Sequence, residues 1–314
     1  MPCEPTDRQL GLSQRGVVLV VVLWVLILLS LIAGNLSLDG RGFARQTLNT
    51  VQGYKAMQAA DGGLIWALWS LQQSGQQGWL ADGSGRDMGL GEAHIRVEIY
   101  DESGKLDLNA APTELLDALL EPVVDDDRSR SALVAAIEDW RDEDDLVRLN
   151  GAEEEEYLAA GRESGPANRR FREVDEVMSV LGMTADIYRH IRPNLTVLTG
   201  GRTINPQVAP FDVLMVLPNA SETVVRDYIQ ARRDAWENGL QVPELPFDAT
   251  PYVAEARQGR YFTVITEAVI DPYIHIRQAV QVTRGGQTLK VERRRLLFDD
   301  DESGSGPGDR RDEQ

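Results

Sequence analysis

The chain has 314 residues, 50 acidic and 32 basic side chains, and a formal net charge of −18. Such an acidic chain repels phosphate groups, which argues against nucleic acid as a partner. It contains one cysteine, Cys3, and therefore cannot form an intramolecular disulfide. Its three histidines are dispersed, and it has no phosphate-binding loop, Gly-x-Ser-x-Gly motif or paired-cysteine metal motif. We predict that the protein is not an enzyme.

An uncharged apolar run of 22 residues, Val17–Leu38, dominates the N-terminal part of the chain. As a helix it would be about 33 Å long, which is enough to cross a hydrocarbon core of about 30 Å. Arg8 and Arg15 precede the run, so the positive-inside rule predicts a cytoplasmic N-terminus and an exported body. Residues 17–38 are therefore predicted to form a single transmembrane segment. A plain signal anchor is one interpretation of this segment.

The position of Gly16 immediately before the apolar run resembles a type IV prepilin leader. This resemblance implies that prepilin peptidase removes residues 1–16 and that the new amine of Val17 is methylated. Most such proteins have Glu at the fifth mature position, whereas this chain has Val21. A carboxylate in the bilayer is costly unless it is paired, and the first subunit of a filament has no subunit ahead to pair with. Val21 therefore predicts a place at a filament tip.

The amphipathic pattern that follows the apolar run predicts a continuation of the same helix. Apolar residues recur at steps of three and four from Leu48 to Leu71, with polar residues between them. We predict one long helix from Val17 to Gln73, in which 17–38 lies in the membrane and 39–73 lies in the periplasm.

Two β-rich blocks follow the long helix. The segment 74–91 is rich in Gly, Ser and Gln and predicts a loop. In the first block, 92–108, the alternating strand Ala93–Tyr100 is predicted to form a hairpin with Lys105–Leu108. The second block, 252–298, predicts three further strands, Tyr261–Ile270, Ile274–Arg284 and Thr288–Phe298. A long helix followed by an antiparallel sheet predicts an α+β, type IV pilin-like fold.

The residues between the two β blocks predict a large helical insertion. Asn109 and Asn205 each precede a proline and a leucine-rich stretch at similar offsets, so we predict an inserted helical domain over 109–199 and a related second unit over 203–245. The outline is SAM-like or helix-hairpin-helix-like. DNA-binding modules of this kind have a glycine-rich hairpin, but the hairpin here, 217–220, has none, which favours an architectural role. The polar tail 299–314 is predicted to be disordered.

An acidic cluster inside the helical region is the best candidate for site chemistry. The segments 138–145 and 153–156 contain ten Asp and Glu residues, and Asn150 and Gly151 lie between the two segments. Calcium takes six to eight oxygen ligands, which such a segment could provide. The spacing is not that of an EF-hand, because Gly is missing at the sixth position and Glu at the twelfth. From the residues alone, a solvated acidic face and an ion site both remain open.

Between Gln14 and Phe298 an ordered set of motifs resembles the K-type minor pseudopilins of the type II (general) secretion pathway. The motifs are QRGVVLVVVLW, DESGKLDLN, DWRDEDD, RLNGAEEEEY, ANRRF, EVMSVLGM and INPQVAP. The resemblance implies a single-pass protein of the bacterial inner membrane with a periplasmic body. It also implies a subunit at the tip of the pseudopilus that initiates and caps assembly and supports export of folded proteins across the outer membrane.

The partners and ligands implied by this resemblance are specific. The partners are the I- and J-type minor pseudopilins, the major pseudopilin filament, prepilin peptidase and the inner-membrane assembly platform, with no nucleic acid. Members of the family bind calcium in the helical domain. Carried onto this chain, the implied ligands are Asp139, Asp142, Asp144, Asn150, Glu153 and Glu154, any of which Asp145, Glu155 or Glu156 could replace.

Two alternative functions remain open from the sequence. The first is a signal-anchored periplasmic binding module that holds a ligand between helix-hairpin-helix-like lobes. The second is a minor pilin of a type IV pilus, which shares the leader but is expected to lack the large helical insertion and usually retains Glu at the position of Val21.

Overall fold

The computed structural model describes residues 15–73, 77–254, 259–271 and 274–297. It divides into two compact units, Met1–Tyr54 and Lys55–Gln314. Most of the predicted leader and all of the predicted tail lie outside the described residues. The second unit contains the sheet and the shorter helices, and it confirms the predicted α+β class.

The predicted long helix is present as α1, Arg15–Gln72. Its large apolar side chains between Val18 and Ile32 are 46–72% exposed. Among the described residues, no helix has the combination of length and hydropathy required of a candidate membrane span. Within the second unit, α1 turns a face of small residues toward the sheet, and a Cβ on Gly63 would lie 2.9 Å from Cγ2 of Ile95. Glycine at this position permits the close approach of helix and sheet.

Five strands form one antiparallel sheet: β1 Arg86–Leu90, β2 Ala93–Asp101, β5 Tyr261–Asp271, β6 Ile274–Gly285 and β7 Thr288–Leu297. Their order in the sheet is β1-β2-β5-β6-β7. The three strands predicted near the C-terminus are confirmed to within a residue at each end. The inward side chains of β2, β5 and β6 alternate along their strands and pack with α1 in a single hydrophobic core.

The prediction of the first hairpin was wrong. The partner of β2 in the hairpin is β1, which lies in the segment predicted to be a loop. The segment predicted as the second hairpin strand instead contributes β3, Leu106–Asp107, which pairs in parallel with β4, Leu195–Thr196. The sequence RDMGL of β1 lacks β-branched residues, and the pairing of β3 spans a large separation in sequence. Neither feature produces a local strand signal.

The remaining helices form a second hydrophobic core in which Leu115, Ile137 and Leu214 are at most 1% exposed. Helices from both predicted helical units contribute to this core, so 109–199 and 203–245 are not separate bodies. The side chain of Asn109 pairs with the backbone of Phe171, which joins the start of this region to a later loop. The helices are α2 Thr113–Leu120, α3 Asp127–Arg141, α4 Glu154–Ala159, α5 Ala185–Ile191, α6 Phe211–Met215 and α7 Glu222–Glu237.

A fully buried ion pair attaches α7 to the segment that precedes the sheet. Asp82 accepts hydrogen bonds from Arg232 Nη2 at 3.1 Å and from Arg233 Nε at 2.8 Å. The side chains of Asp82 and Arg232 are both 0% exposed. Burial acts to raise the pKa of Asp82, but the charges of Arg233 and Arg232 and the bonds from Ser84 outweigh it and lower that pKa. The carboxylate is therefore ionised and well compensated.

Candidate functional site

Three of the six predicted calcium ligands lie at the two ends of the loop that joins α3 to α4. Asp139 lies in the last turn of α3 and is 0% exposed, Asp142 is the C-cap of that helix, and Glu153 is the N-cap of α4 and 7% exposed. The residue before Glu153, Ala152, donates its backbone N–H to Asp139, and the Arg148 guanidinium bonds to both Asp139 and Asp142. The loop that connects α3 and α4 therefore links the two helix ends.

Asp139 organises this loop through its two carboxylate oxygens. Oδ2 accepts hydrogen bonds from the backbone N–H of Ala152 at 2.9 Å and of Arg148 at 3.4 Å, while Oδ1 accepts from Arg148 Nη1 at 2.8 Å. Gly151 lies directly against this carboxylate, and a Cβ there would be 1.9 Å from Oδ2. The loop therefore requires glycine at position 151 because of a close approach, not because of its backbone angles.

The Arg148 guanidinium lies among three carboxylates. Its Nη1 donates to Asp142 Oδ2 as well as to Asp139, and its Nε is 3.7 Å from Glu138 Oε2. The hydrogen bonds to Asp142 and Asp139 raise the pKa of Arg148 above its ordinary value. The Arg148 side chain is still 42% exposed, so one edge of this ion-pair network is open to solvent.

Several oxygens of the same cluster are buried without a hydrogen-bond partner among the described residues. They are Oδ1 of Asp142, Oε1 of Glu153 and Oδ1 of Asn168. Burial, followed by the charges of Asp139 and Asp142, raises the pKa of Glu153. Buried polar atoms are normally paired, so this group of oxygens has an unfilled capacity to bind a cation or a donor.

The other three predicted ligands are not brought into this group. Asp144, Asn150 and Glu154 are exposed. Asp144 accepts a hydrogen bond from the backbone of Leu146 at 2.9 Å, and Asn150 adopts a positive φ of 65° in the turn before Gly151. Both have local roles in the loop, and Glu154 begins the first turn of α4.

In the conformation seen here, no three carboxylate, imidazole or thiol side chains of the described residues are assembled as a metal-binding group. Asp139 and Asp142 instead share the Arg148 guanidinium. The donor set itself suits a hard cation, since it consists of carboxylate oxygens and one amide oxygen, several of them buried and unpaired. The residues present therefore fit a calcium ion in chemistry.

Two residues of the cluster were missed by the sequence analysis. Asn168 belongs to the motif ANRRF, and its amide donates to Asp145 Oδ1 at 2.7 Å, 23 residues away in the chain. Its backbone φ of 46° is a local signal of a special position, but it is visible only in the structure. Arg148 is the only basic residue between Asp142 and Glu156, and this isolation among acids is a signal that the sequence does provide.

The predicted processing site lies at the start of α1. Gly16 and Val17 belong to its first turn, and Val21 is 54% exposed within the apolar run. Cleavage, methylation and the role of Val21 at a tip stay predictions.

Comparison with known proteins identifies relatives of this chain. Residues 98–200 match the family model for the first domain of protein K of the type II secretion system. The type II secretion system protein K of Klebsiella pneumoniae is 28% identical over 247 residues, which cover 70% of this chain and 75% of that protein. The putative type II secretion system protein K of Escherichia coli K12 is 25% identical over 90% of this chain and 98% of its own length. The resemblance predicted from the sequence motifs is confirmed.

A solved structure supports the fold. In the crystal structure of the GspK-GspI-GspJ complex from the type 2 secretion system of enterotoxigenic E. coli, the matched chain has a TM-score of 0.57 and 18% sequence identity to this chain. The match covers 81% of this chain and 99% of the other. At this identity the likeness establishes a shared fold.

Proposed function

We propose that this chain is a minor pseudopilin of the type II secretion system, placed at the tip of the periplasmic pseudopilus. In this role it associates with I- and J-type minor pseudopilins, initiates the filament and caps it, and so supports export of folded proteins. The carrying observation is the large helical region inserted between the strands β2 and β5, in a fold that matches one chain of a GspK-GspI-GspJ complex. The role is structural and involves no catalysis.

The inserted helices provide a physical reason for capping. Helices α2–α7 build a core that is distinct from the core between α1 and the sheet, so the chain carries a second body beside the sheet. The buried Asp82–Arg232 pair ties α7 to the segment before the sheet. A body attached in this way would obstruct a further subunit above it, while growth of the major filament from the assembly platform could continue below.

We further propose that the chain is anchored and processed as a pseudopilin. The uncharged run 17–38 would cross the inner membrane and leave the body in the periplasm, and prepilin peptidase would cut between Gly16 and Val17. Methylation of the new Val17 amine and the apolar Val21 are consistent with a subunit that has none ahead of it.

Calcium is proposed as a ligand of the helical region. Asp142, Glu153 and Asn168 would hold the ion with buried oxygens that have no partner among the described residues, and Asp139 would contribute the oxygen now bonded to Arg148. When bound, the divalent charge would neutralise the carboxylates that lie together here. Asp139 would keep its bonds to the backbone of the loop and so keep the loop in place.

The test of the proposed function is the intact mass of membrane-extracted protein from cells with and without prepilin peptidase, combined with co-purification of I- and J-type subunits. We expect loss of residues 1–16 only when the peptidase is present, and a stable complex with both subunits. Gly16→Leu should block cleavage, whereas Gly11→Leu, a matched change within the leader, should not. An uncut wild-type chain in both strains would favour the signal-anchored binding module instead.

A further inference from the structure

We infer that Arg148 is a built-in counter-cation that competes with a divalent metal ion for Asp139 and Asp142 and thereby sets the affinity of the site. This inference rests on the proposed calcium site and deepens it. It assigns a role to a residue that would not itself be a ligand.

The contacts of Arg148 place it where a cation is needed. Its guanidinium bonds to the Asp139 carboxylate at 2.8 Å and to the Asp142 carboxylate. Asp139 is 0% exposed, and a buried carboxylate without a compensating cation is strongly destabilising. Arg148 therefore permits the loop to fold when no metal ion is bound.

Arg148 does not complete the site. Asp139, Asp142 and Glu153 together carry three negative charges against one guanidinium, which leaves two uncompensated. One buried oxygen each of Glu153 and Asp142, which has no hydrogen-bond partner among the described residues, is the physical sign of this deficit. A divalent ion would remove it, because its charge and its need for six to eight oxygens match what Arg148 leaves unfilled.

The structure also provides an alternative partner for the Arg148 guanidinium when a metal ion displaces it from Asp139 and Asp142. Its side chain is 42% exposed, and its Nε already lies 3.7 Å from Glu138 Oε2. Glu138 is bonded in turn to Thr113 Oγ1 at 2.6 Å, at the start of α2. On metal binding, the guanidinium would leave Asp139 and Asp142 and keep Glu138 as its partner. The backbone N–H of Arg148 could remain bonded to Asp139 Oδ2, so the loop need not unfold during the exchange.

The test is a calcium titration of the detergent-solubilised full chain by isothermal calorimetry after removal of metal ions with a chelator. Arg148→Gln should bind calcium roughly tenfold more tightly than the wild type, since the exchange no longer breaks charge-assisted hydrogen bonds. Arg148→Lys retains the competing charge and should bind with nearly wild-type affinity. Arg128→Gln makes the same charge change in the first turn of α3 and controls for long-range electrostatics.

A second measurement uses the unaltered protein and so does not depend on the folding of a variant. Phenylglyoxal modifies accessible arginines, and peptide mass mapping would report its reaction with Arg148 and with Arg128 in chelator and in calcium. Calcium should increase modification of Arg148 and leave that of Arg128 unchanged. Equal modification of Arg148 in both conditions would overturn the inference.

The outcomes separate this inference from the proposals on which it rests. Wild-type binding with equal or weaker affinity in Arg148→Gln would overturn the competition but leave the calcium site standing. Absence of calcium binding in both proteins would overturn the site and the inference together. Neither result touches processing by prepilin peptidase or co-purification with I- and J-type subunits, which test the pseudopilin role separately.

Discussion

Two buried acidic centres of this molecule contrast in how their charge is compensated. Asp82 meets Arg232 and Arg233, and its pKa is lowered. At the junction of α3 and α4, several carboxylates share Arg148, and the pKa of Glu153 is raised. The first centre has more positive than negative charge, whereas the second has less.

The contrast indicates that the Asp82 centre stabilises the fold, whereas the centre at the junction of α3 and α4 is available to bind a ligand. Both carboxylate oxygens of Asp82 have donors among the described residues, which include Ser84 as well as the two arginines. At the other centre, one buried oxygen each of Asp142 and Glu153 has no donor among these residues. A fully paired buried charge fixes a fold, whereas an incompletely paired one is costly unless a ligand completes it.

The largest effect is expected from Asp82→Asn. The change leaves Arg232 buried without its anion, and loss of one partner from a buried pair costs about 3–5 kcal/mol. Urea unfolding of the full chain in detergent would measure the loss of stability. Arg233→Gln is the matched control, since Arg233 is 40% exposed and Arg232 still pairs with Asp82. A loss in the control as large as that in Asp82→Asn would contradict the importance of the buried pair.

A smaller effect is expected from Gly151→Ala. The added Cβ would overlap Asp139 Oδ2, and relief of such overpacking typically costs about 1–3 kcal/mol. The same shift should weaken calcium binding, because Asp139 lies between the loop and the proposed ion. Gly89→Ala is the control, since a Cβ there meets no atom within 4 Å. Thermal unfolding with and without calcium checks both effects, and unchanged behaviour of Gly151→Ala would refute the close approach.

A third prediction is that removing the charge of Glu153 stabilises the protein instead of destabilising it. Without metal, Glu153→Gln should stabilise the protein by up to about 1 kcal/mol, because it removes a buried charge that other carboxylates repel. The amide can still accept a hydrogen bond at the start of α4. Glu154→Gln changes the same charge at the next, exposed position and should not stabilise. Chemical denaturation in chelator measures both, and destabilisation by Glu153→Gln would mean that its charge is already compensated.

The smallest expected effect concerns the difference in stability between the wild type and Asp82→Asn, which should decrease at low pH. A lowered folded-state pKa means that Asp82 stabilises the protein above its unfolded-state pKa of about 3.9, and that this contribution disappears as pH falls through the lower folded-state value. The stability difference between wild type and Asp82→Asn should therefore be constant at neutral pH and shrink below about pH 4. Urea midpoints measured from pH 7 to pH 3 would reveal this. A constant difference over the whole range would argue against the lowered pKa.

The parts of the fold that the sequence predicted are those with strong local periodicity. Helix α1 and the strands β5, β6 and β7 each repeat an apolar pattern over many residues, so their limits were predicted closely. The edge strand β1 was missed because its pairing is carried by the backbone, without an apolar pattern. The pairing of β3 with β4 and the single core of the helical region depend on long-range contacts that no local pattern encodes.

The calcium ligand set stays a prediction. The density of carboxylates identified the acidic segment, in which Asp139 and Asp142 bond to Arg148 and Glu153 is the N-cap of α4. Spacing could not distinguish them from Asp144 and Glu154, because burial decides which carboxylates lose water, and burial depends on how the loop folds. Asn168 comes from a later loop, so its approach to the cluster follows from tertiary packing alone.

Thermal unfolding of the wild-type full chain in detergent, in chelator and then in millimolar calcium, tests most directly whether the two acidic centres differ in kind. We predict that calcium raises the unfolding midpoint by several degrees, because the ion binds the folded state alone. The midpoint of Glu153→Gln should rise much less. An identical midpoint for the wild type in both conditions would contradict the account, since the acidic centre would then be as complete without an ion as the centre at Asp82.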